Sequence, residues 1–235
     1  LNTTGTANCS HNVVDGATES PDVVLSSCTG DGTVSITVAA AQATDDAGNA
    51  DPGAGPSATI TVDNTDPTIN ISSPSTAYAK NGDTVDYTIT YADTNGATVT
   101  LDSGDVTLNT TGDATCSISV LNGTTLTPTV RLTSCTGDGS VGISIAAAQA
   151  TDPSSNTDAG AGPSGSFDVD NTRPTVSIGS PSASIITSAG TVMYTLTYTG
   201  ADSISVGGSD ISLNTTGTAN CSTVNVISGT TTTPD

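Results

Sequence analysis

The chain repeats itself. Leu1-Asn2-Thr3-Thr4-Gly5 returns at Leu108-Asn109-Thr110-Thr111-Gly112 and again at Leu213-Asn214-Thr215-Thr216-Gly217, at steps of 107 and 105 residues. Ser27-Cys28-Thr29-Gly30-Asp31-Gly32 returns at Ser134-Cys135-Thr136-Gly137-Asp138-Gly139, and Val62-Asp63-Asn64-Thr65 at Val169-Asp170-Asn171-Thr172, both at 107. The step shortens only after Tyr91 and Tyr198, so Ala92 to Ala97 loses two residues in its next occurrence. Loops absorb such changes and strands do not, which marks a turn there. A unit this long that recurs along a chain must carry its own core, and it has the size of one β-sandwich domain.

Asp63-Asn64-Thr65-Asp66-Pro67 and Asp170-Asn171-Thr172-Arg173-Pro174 read as linkers, because Pro cannot continue a central strand and here follows a short polar run. Residues 1–63 are then the C-terminal part of one unit, 64–170 a complete unit, and 171–235 the N-terminal part of a third. Thr supplies about a fifth of the chain, whereas helix formers are scarce, with one Glu, one Lys, two Arg and one Met. The expected fold is all-β. Alternation predicts strands near Thr68–Ser72, Thr84–Tyr91, Thr98–Leu101, Asp105–Leu108, Ala114–Leu121, Thr129–Thr133, Ser140–Ala148 and Gly165–Val169. Eight short strands punctuated by Gly, Asn and Pro favour two packed sheets. Tyr78, Tyr87, Tyr91, Tyr194 and Tyr198 mostly fall in alternating segments and read as core.

The cysteines follow the same step. Cys9 and Cys28 are 19 residues apart, as are Cys116 and Cys135, and Cys221 aligns with Cys9 and Cys116, so its partner is expected near position 240. A hairpin turning at Asn122-Gly123-Thr124, or at Asp15-Gly16, brings each pair face to face. No CxxC occurs and the sole histidine, His11, has no counterpart at the next steps, so structural disulfides are expected rather than zinc. Such bonds place the protein outside the reducing cytosol: extracellular, at the cell surface or secreted.

Twenty-three acidic residues against three Lys and Arg give a formal net charge of −20. Nucleic acid and anionic membrane are excluded as partners, because binding them relies on clustered cations that displace counterions. No apolar run is long enough for a membrane helix, and no signal segment stands at Leu1, so any export signal is expected outside this stretch.

Val-Asp-Asn-Thr-x-Pro-Thr at Val62–Thr68 and Val169–Thr175, with Ala43-Thr44-Asp45-Asp46-Ala47-Gly48-Asn49 upstream of the first, resembles the bacterial Ig-like repeats of large surface adhesins and extracellular fibres. In the second occurrence Thr151-Asp152-Pro153-Ser154-Ser155-Asn156 keeps only the Asp and the Asn of the loop. The resemblance implies tandem Ig-like β-sandwich domains joined by short linkers in an extended array, several such proteins holding calcium at their junctions. With that connectivity, Asp152 and Asp158 approach Asp63, Asn64 and Asp66, with Asp93 from a neighbouring loop. These oxygens are of the hard kind calcium requires. Asp170 is the equivalent linker residue of the second junction, where Arg173 replaces Asp66 and sets a positive charge beside it.

An enzyme is not expected. His11 and Glu19 are unique, share one predicted hairpin and form no nucleophile–base pair. Lys80 aligns with Thr187, which rules out a lysine isopeptide in every unit, and recurrent Gln42 and Gln149 read as backbone-bonding residues. Acceptor triplets for N-glycosylation stand at Asn2, Asn8, Asn70, Asn109, Asn122, Asn214 and Asn220, in a composition that produces several by chance. The expected function is structural: a segment of a stalk or filament whose partners are neighbouring repeats and further copies of itself. A carbohydrate- or ligand-binding module that contacts surface glycans is the alternative.

Overall fold

The computed structural model describes residues 1–227 and the backbone of 230–231. The chain forms two compact units, Leu1–Asn171 and Thr172–Asp235. Strands are the main regular elements of both, and the only helix among the described residues is two 3-10 turns, Ser103–Asp105 and Gly208–Asp210. No helix is long and apolar enough to cross a membrane.

The first 63 residues contribute β1 (Asn2–Thr3), β2 (Asn8–Val14), β3 (Asp22–Thr29), β4 (Gly32–Ser35) and β5 (Ile60–Val62). Strands β1, β4 and β5 form one sheet in that order, while β2 and β3 form a hairpin bridged by Cys9–Cys28. A small core of Ala7, Cys9, Val34 and Val62 lies between them.

The stretch that follows holds β6 (Thr68–Ile71), β7 (Tyr78–Ala79), β8 (Val85–Ala92), β9 (Thr98–Val99), β10 (Val106–Thr110), β11 (Thr115–Leu121), β12 (Thr129–Thr136), β13 (Gly139–Ile145), β14 (Ala150–Thr151) and β15 (Phe167–Val169). All eight expected strands form, and the two-residue β7 and β14 are additional. Two four-stranded sheets, ordered β10-β13-β15-β7 and β11-β12-β8-β6, close on one core. Val85, Tyr87, Ile89 and Tyr91 point inward from β8 at period two, and meet Val141, Ile143 and Ile145 of β13 and Phe167 and Val169 of β15. The Tyr87 hydroxyl joins the two layers by donating to the carbonyls of Val141 at 3.2 Å and Gly165 at 3.0 Å.

Three expectations are adjusted. The hairpin turns around Asn122-Gly123-Thr124 as expected, within a longer connection of residues 122–128, since Leu121 pairs with Thr129. Asn122 takes φ 55° at its start, and Thr125 closes onto its carbonyl from both backbone N–H and hydroxyl. The residue following it must be glycine here, since a Cβ at Gly123 would lie 2.1 Å from the Leu101 carbonyl oxygen. Next, β13 stops at Ile145 rather than running to Ala148, because Ala148 turns to φ 64° and leads the chain into the short β14. Finally, of the tyrosines read as core only Tyr87 and Tyr91 are buried; Tyr78 and Tyr194 are exposed and Tyr198 half-buried. Tyr78 belongs to the two-residue edge strand β7, which pairs with β15 and faces outward at that position.

The second unit contains β16 (Thr175–Ile178), β17 (Leu196–Thr199), β18 (Ile204–Ser205) and β19 (Thr230–Thr231), paired as β16-β17 and β18-β19.

Candidate functional site

The Gly30-Asp31-Gly32 turn and the linker that begins at Asp63 recur together, and they bind one another. Asn64 donates its backbone N–H to the Asp31 carboxylate at 2.7 Å and its side-chain amide to the Gly30 carbonyl at 2.6 Å, while the Thr65 hydroxyl donates to the other Asp31 oxygen at 2.7 Å. Asn171 repeats this on Asp138 and Gly137 at 2.6 and 2.7 Å. The backbone N–H of Asn64, with the hydroxyl of Thr65, holds the Asp31 carboxyl below the usual carboxylate range. Asn64 thus secures the linker to the strands it leaves.

Asp63 itself turns toward the next set of loops. Strand β9 pairs with β14, Thr98 opposite Thr151 and Val99 opposite Ala150, which sets the loop after β8 and the loop after β14 at one end of the sandwich. Asp93 comes from the first loop and Asp152 from the second. One carboxylate oxygen from each of Asp63, Asp93 and Asp152 lies within 4.8 Å of the others. Asn95 donates its side-chain amide to the Asp63 carboxylate, and its backbone N–H to Asp93 at 2.8 Å. Asn156 donates its backbone N–H and side-chain amide to the two Asp152 oxygens, both at 2.8 Å, and its amide also reaches the Asp63 carbonyl at 3.2 Å. Burial pushes the Asp152 carboxyl upward, but the Asn156 amides and the neighbouring backbone N–H groups of Ser154 and Ser155 outweigh it and leave the group lowered. A charged carboxylate is therefore kept on a residue only 5% exposed, while Asp63 and Asp93 are half-buried.

The other residues expected as ligands lie elsewhere. Asp158 is buried as loop scaffold, its two oxygens accepting from Ala150 N–H at 2.6 Å and Gly160 N–H at 2.9 Å. Asp66 stays exposed on the linker, and Asp170 is likewise outside the only three-carboxylate group among the described residues. Asn95 and Asn156, which donate to Asp63, are not among the residues expected at the site. Asn156 carried a signal, because Asn49 precedes it by 107 residues and binds Asp45 in the same way, by backbone N–H and side-chain amide at 2.9 Å. Asn95 carried none, since its loop is the segment that is shortened after Tyr198.

The disulfides Cys9–Cys28 and Cys116–Cys135 form as spaced, each at a bulge in its hairpin, and Cys221 is exposed and free. Gln42 and Gln149 donate to the carbonyls of Ala40 and Ala147. Among the acceptor triplets, the Asn2 and Asn109 amides are engaged by Thr37 and Ser144 within the sheets. Asn8 and Asn70 are exposed within strands, whereas Asn122, Asn214 and Asn220 are exposed on connections. Comparison of the chain with protein-family profiles, curated proteins and solved structures returns no match.

Proposed function

We propose that this chain is a length of extracellular structural array, Ig-like sandwich units joined end to end as a stalk or filament, with calcium held at the Asp63 junction. The observation that carries the reading is the grip on Asp63, the first residue of the linker that leaves one unit, by Asn95 and Asn156 from two loops of the next. A joint bound on both faces transmits load, whereas a free linker only tethers. Two disulfides support a location where thiols oxidise.

The donor set fits a hard cation. It offers three carboxylates, with the Asp63 carbonyl close by, and neither histidine nor thiolate that would select zinc or copper. Calcium takes six to eight oxygens in flexible geometry, and water completes such a shell. Bound there, the ion would relieve the repulsion among Asp63, Asp93 and Asp152 and hold two loops and a linker together. Calcium at about a hundred times its Kd is expected to raise the unfolding midpoint by roughly 5–10 °C, and Asp152→Asn is expected to abolish that response. An unchanged midpoint after chelation refutes the calcium part. Immunogold labelling with antibodies to this chain tests the rest: label on projections outside the cell is expected, and label confined to the cytoplasm refutes it.

A further inference from the structure

We propose that Asn95-Gly96 is a self-modification site, where the asparagine converts with time to a carboxylic acid and makes the grip on Asp63 dependent on calcium. The conversion stands on its own geometry, while its consequence deepens the array reading and rests on the calcium part of it.

The chain has three Asn-Gly pairs, Asn81-Gly82, Asn95-Gly96 and Asn122-Gly123. Glycine carries no Cβ to shield its nitrogen, so that nitrogen can reach the preceding side-chain amide. It bonds to the asparagine Cγ as the Cγ–Nδ2 bond breaks, and its proton leaves with Nδ2 as ammonia. Water then opens the cyclic imide, giving aspartate or the isomer whose main chain runs through the former side-chain carbon. The balance is amide plus water to acid plus ammonia. No enzyme is required, only freedom of the two residues to rearrange.

Two of the pairs are braced against that rearrangement. Asn122 is held at φ 55° with Thr125 closed onto its carbonyl, and the Gly123 carbonyl accepts from the Leu101 N–H at 3.0 Å. The Asn81 N–H donates to the Asn171 side-chain oxygen at 2.7 Å, and a turn closes over Asn81-Gly82 through the Asp83 N–H and the Lys80 carbonyl at 3.0 Å. Asn95-Gly96 carries no such brace. Both residues are exposed, and among the described residues no backbone–backbone hydrogen bond involves residues 94–96. A side chain on Gly96 would meet nothing within 4 Å, so the space around the reacting nitrogen is open. The side chain of Asn95 is tied to Asp63 only through Nδ2, the atom that departs.

Conversion replaces a donor by an anion. The N–H that the Asp63 carboxylate accepts gives way to a second carboxylate beside it, so this half of the grip becomes a repulsion and the Asn156 bond to the Asp63 carbonyl remains. The group formed by Asp63, Asp93 and Asp152 gains a fourth carboxylate, and calcium affinity is tuned by the number of charged ligands. The joint passes from one held by amides to one held by a cation. The next repeat lacks the device, since its shortened loop, Thr199-Gly200-Ala201, contains no asparagine.

Peptide mass mapping of the native polypeptide, aged in warm, mildly alkaline buffer with chelator, tests the conversion against the reduced chain in urea. The three pairs are expected to convert at similar rates when unfolded. In the native chain Asn95 is expected to convert about tenfold or more faster than Asn81 and Asn122. Equal native rates, or Asn95 slower than either, overturn the site. Asn95→Asp and Asn95→Ala test the consequence, because both remove the donor and only the first adds charge. Intact Cys9–Cys28 and Cys116–Cys135 bonds and an unchanged circular dichroism spectrum confirm that each variant folds. In chelator N95D is expected to melt below N95A, and calcium titrated by calorimetry is expected to bind N95D about tenfold tighter than the parent. Equal midpoints in chelator, or calcium bound equally by parent and N95D, overturn the switch and leave the calcium reading standing. Calcium that binds neither chain refutes the calcium reading and the switch together, and the mass map alone then decides the conversion.

Discussion

Tyr91 buries a hydroxyl and gives it no hydrogen-bond partner, and burial, with the charges of Asp158 and Asp105, pushes its ionisation well above the ordinary tyrosine value. An unpaired buried hydroxyl costs free energy that an isosteric ring avoids, so Tyr91→Phe is expected to unfold at the same or higher temperature, read by a melting curve. Tyr87 is the contrasting case on the same strand. Its hydroxyl holds both sheets, so Tyr87→Phe leaves the Val141 and Gly165 carbonyls short of a donor and is expected to destabilise by about 1 kcal/mol in a denaturant titration. Period-two alternation identified both rings as core, but it could not distinguish a satisfied hydroxyl from an orphaned one, because the deciding atoms are backbone carbonyls far along the chain.

The hairpins are the elements that hold each small core shut. A bond across 19 residues limits the unfolded chain, and replacing Cys116 and Cys135 together by alanine is expected to cost about 3 kcal/mol, with the loss read in the urea midpoint of the oxidised parent against the variant. The spacing alone predicted this element, because a repeated interval that straddles a turn has few ways to bring sulfurs together. The turn itself was less legible. Asn122-Gly123-Thr124 marked where the chain reverses but not the length of the loop: the strands stop at Leu121 and resume only at Thr129, and the loop also reaches across to Leu101, whose N–H donates to the Gly123 carbonyl. That contact lies outside any local window.

Across the whole molecule, acidity is organised by amide donors. The carboxyls of Asp31, Asp45, Asp51, Asp86 and Asp152 are all lowered in the folded chain, chiefly by hydrogen bonds from backbone and asparagine amides, or from Arg131 for Asp86. A depressed folded value contributes stability that is fully present above the unfolded value near 3.8 and is lost as pH falls through the folded value. The unfolding midpoint is therefore expected to hold near neutrality and drop steeply below about pH 4, read by thermal scans across pH. The sequence by itself determined the all-β class, most of the strands, the disulfide pairs and the acidic character, because these depend on alternation, interval and composition, which are local or periodic properties of the chain. Only the tertiary structure decided that Asp63, Asp93 and Asp152 converge while Asn64, Asp66 and Asp158 turn elsewhere, and that Asn95 and Asn156 join them. Convergence depends on the β9–β14 pairing, which draws two distant loops to one end of the sandwich, and a pairing between two-residue strands leaves no trace in periodicity.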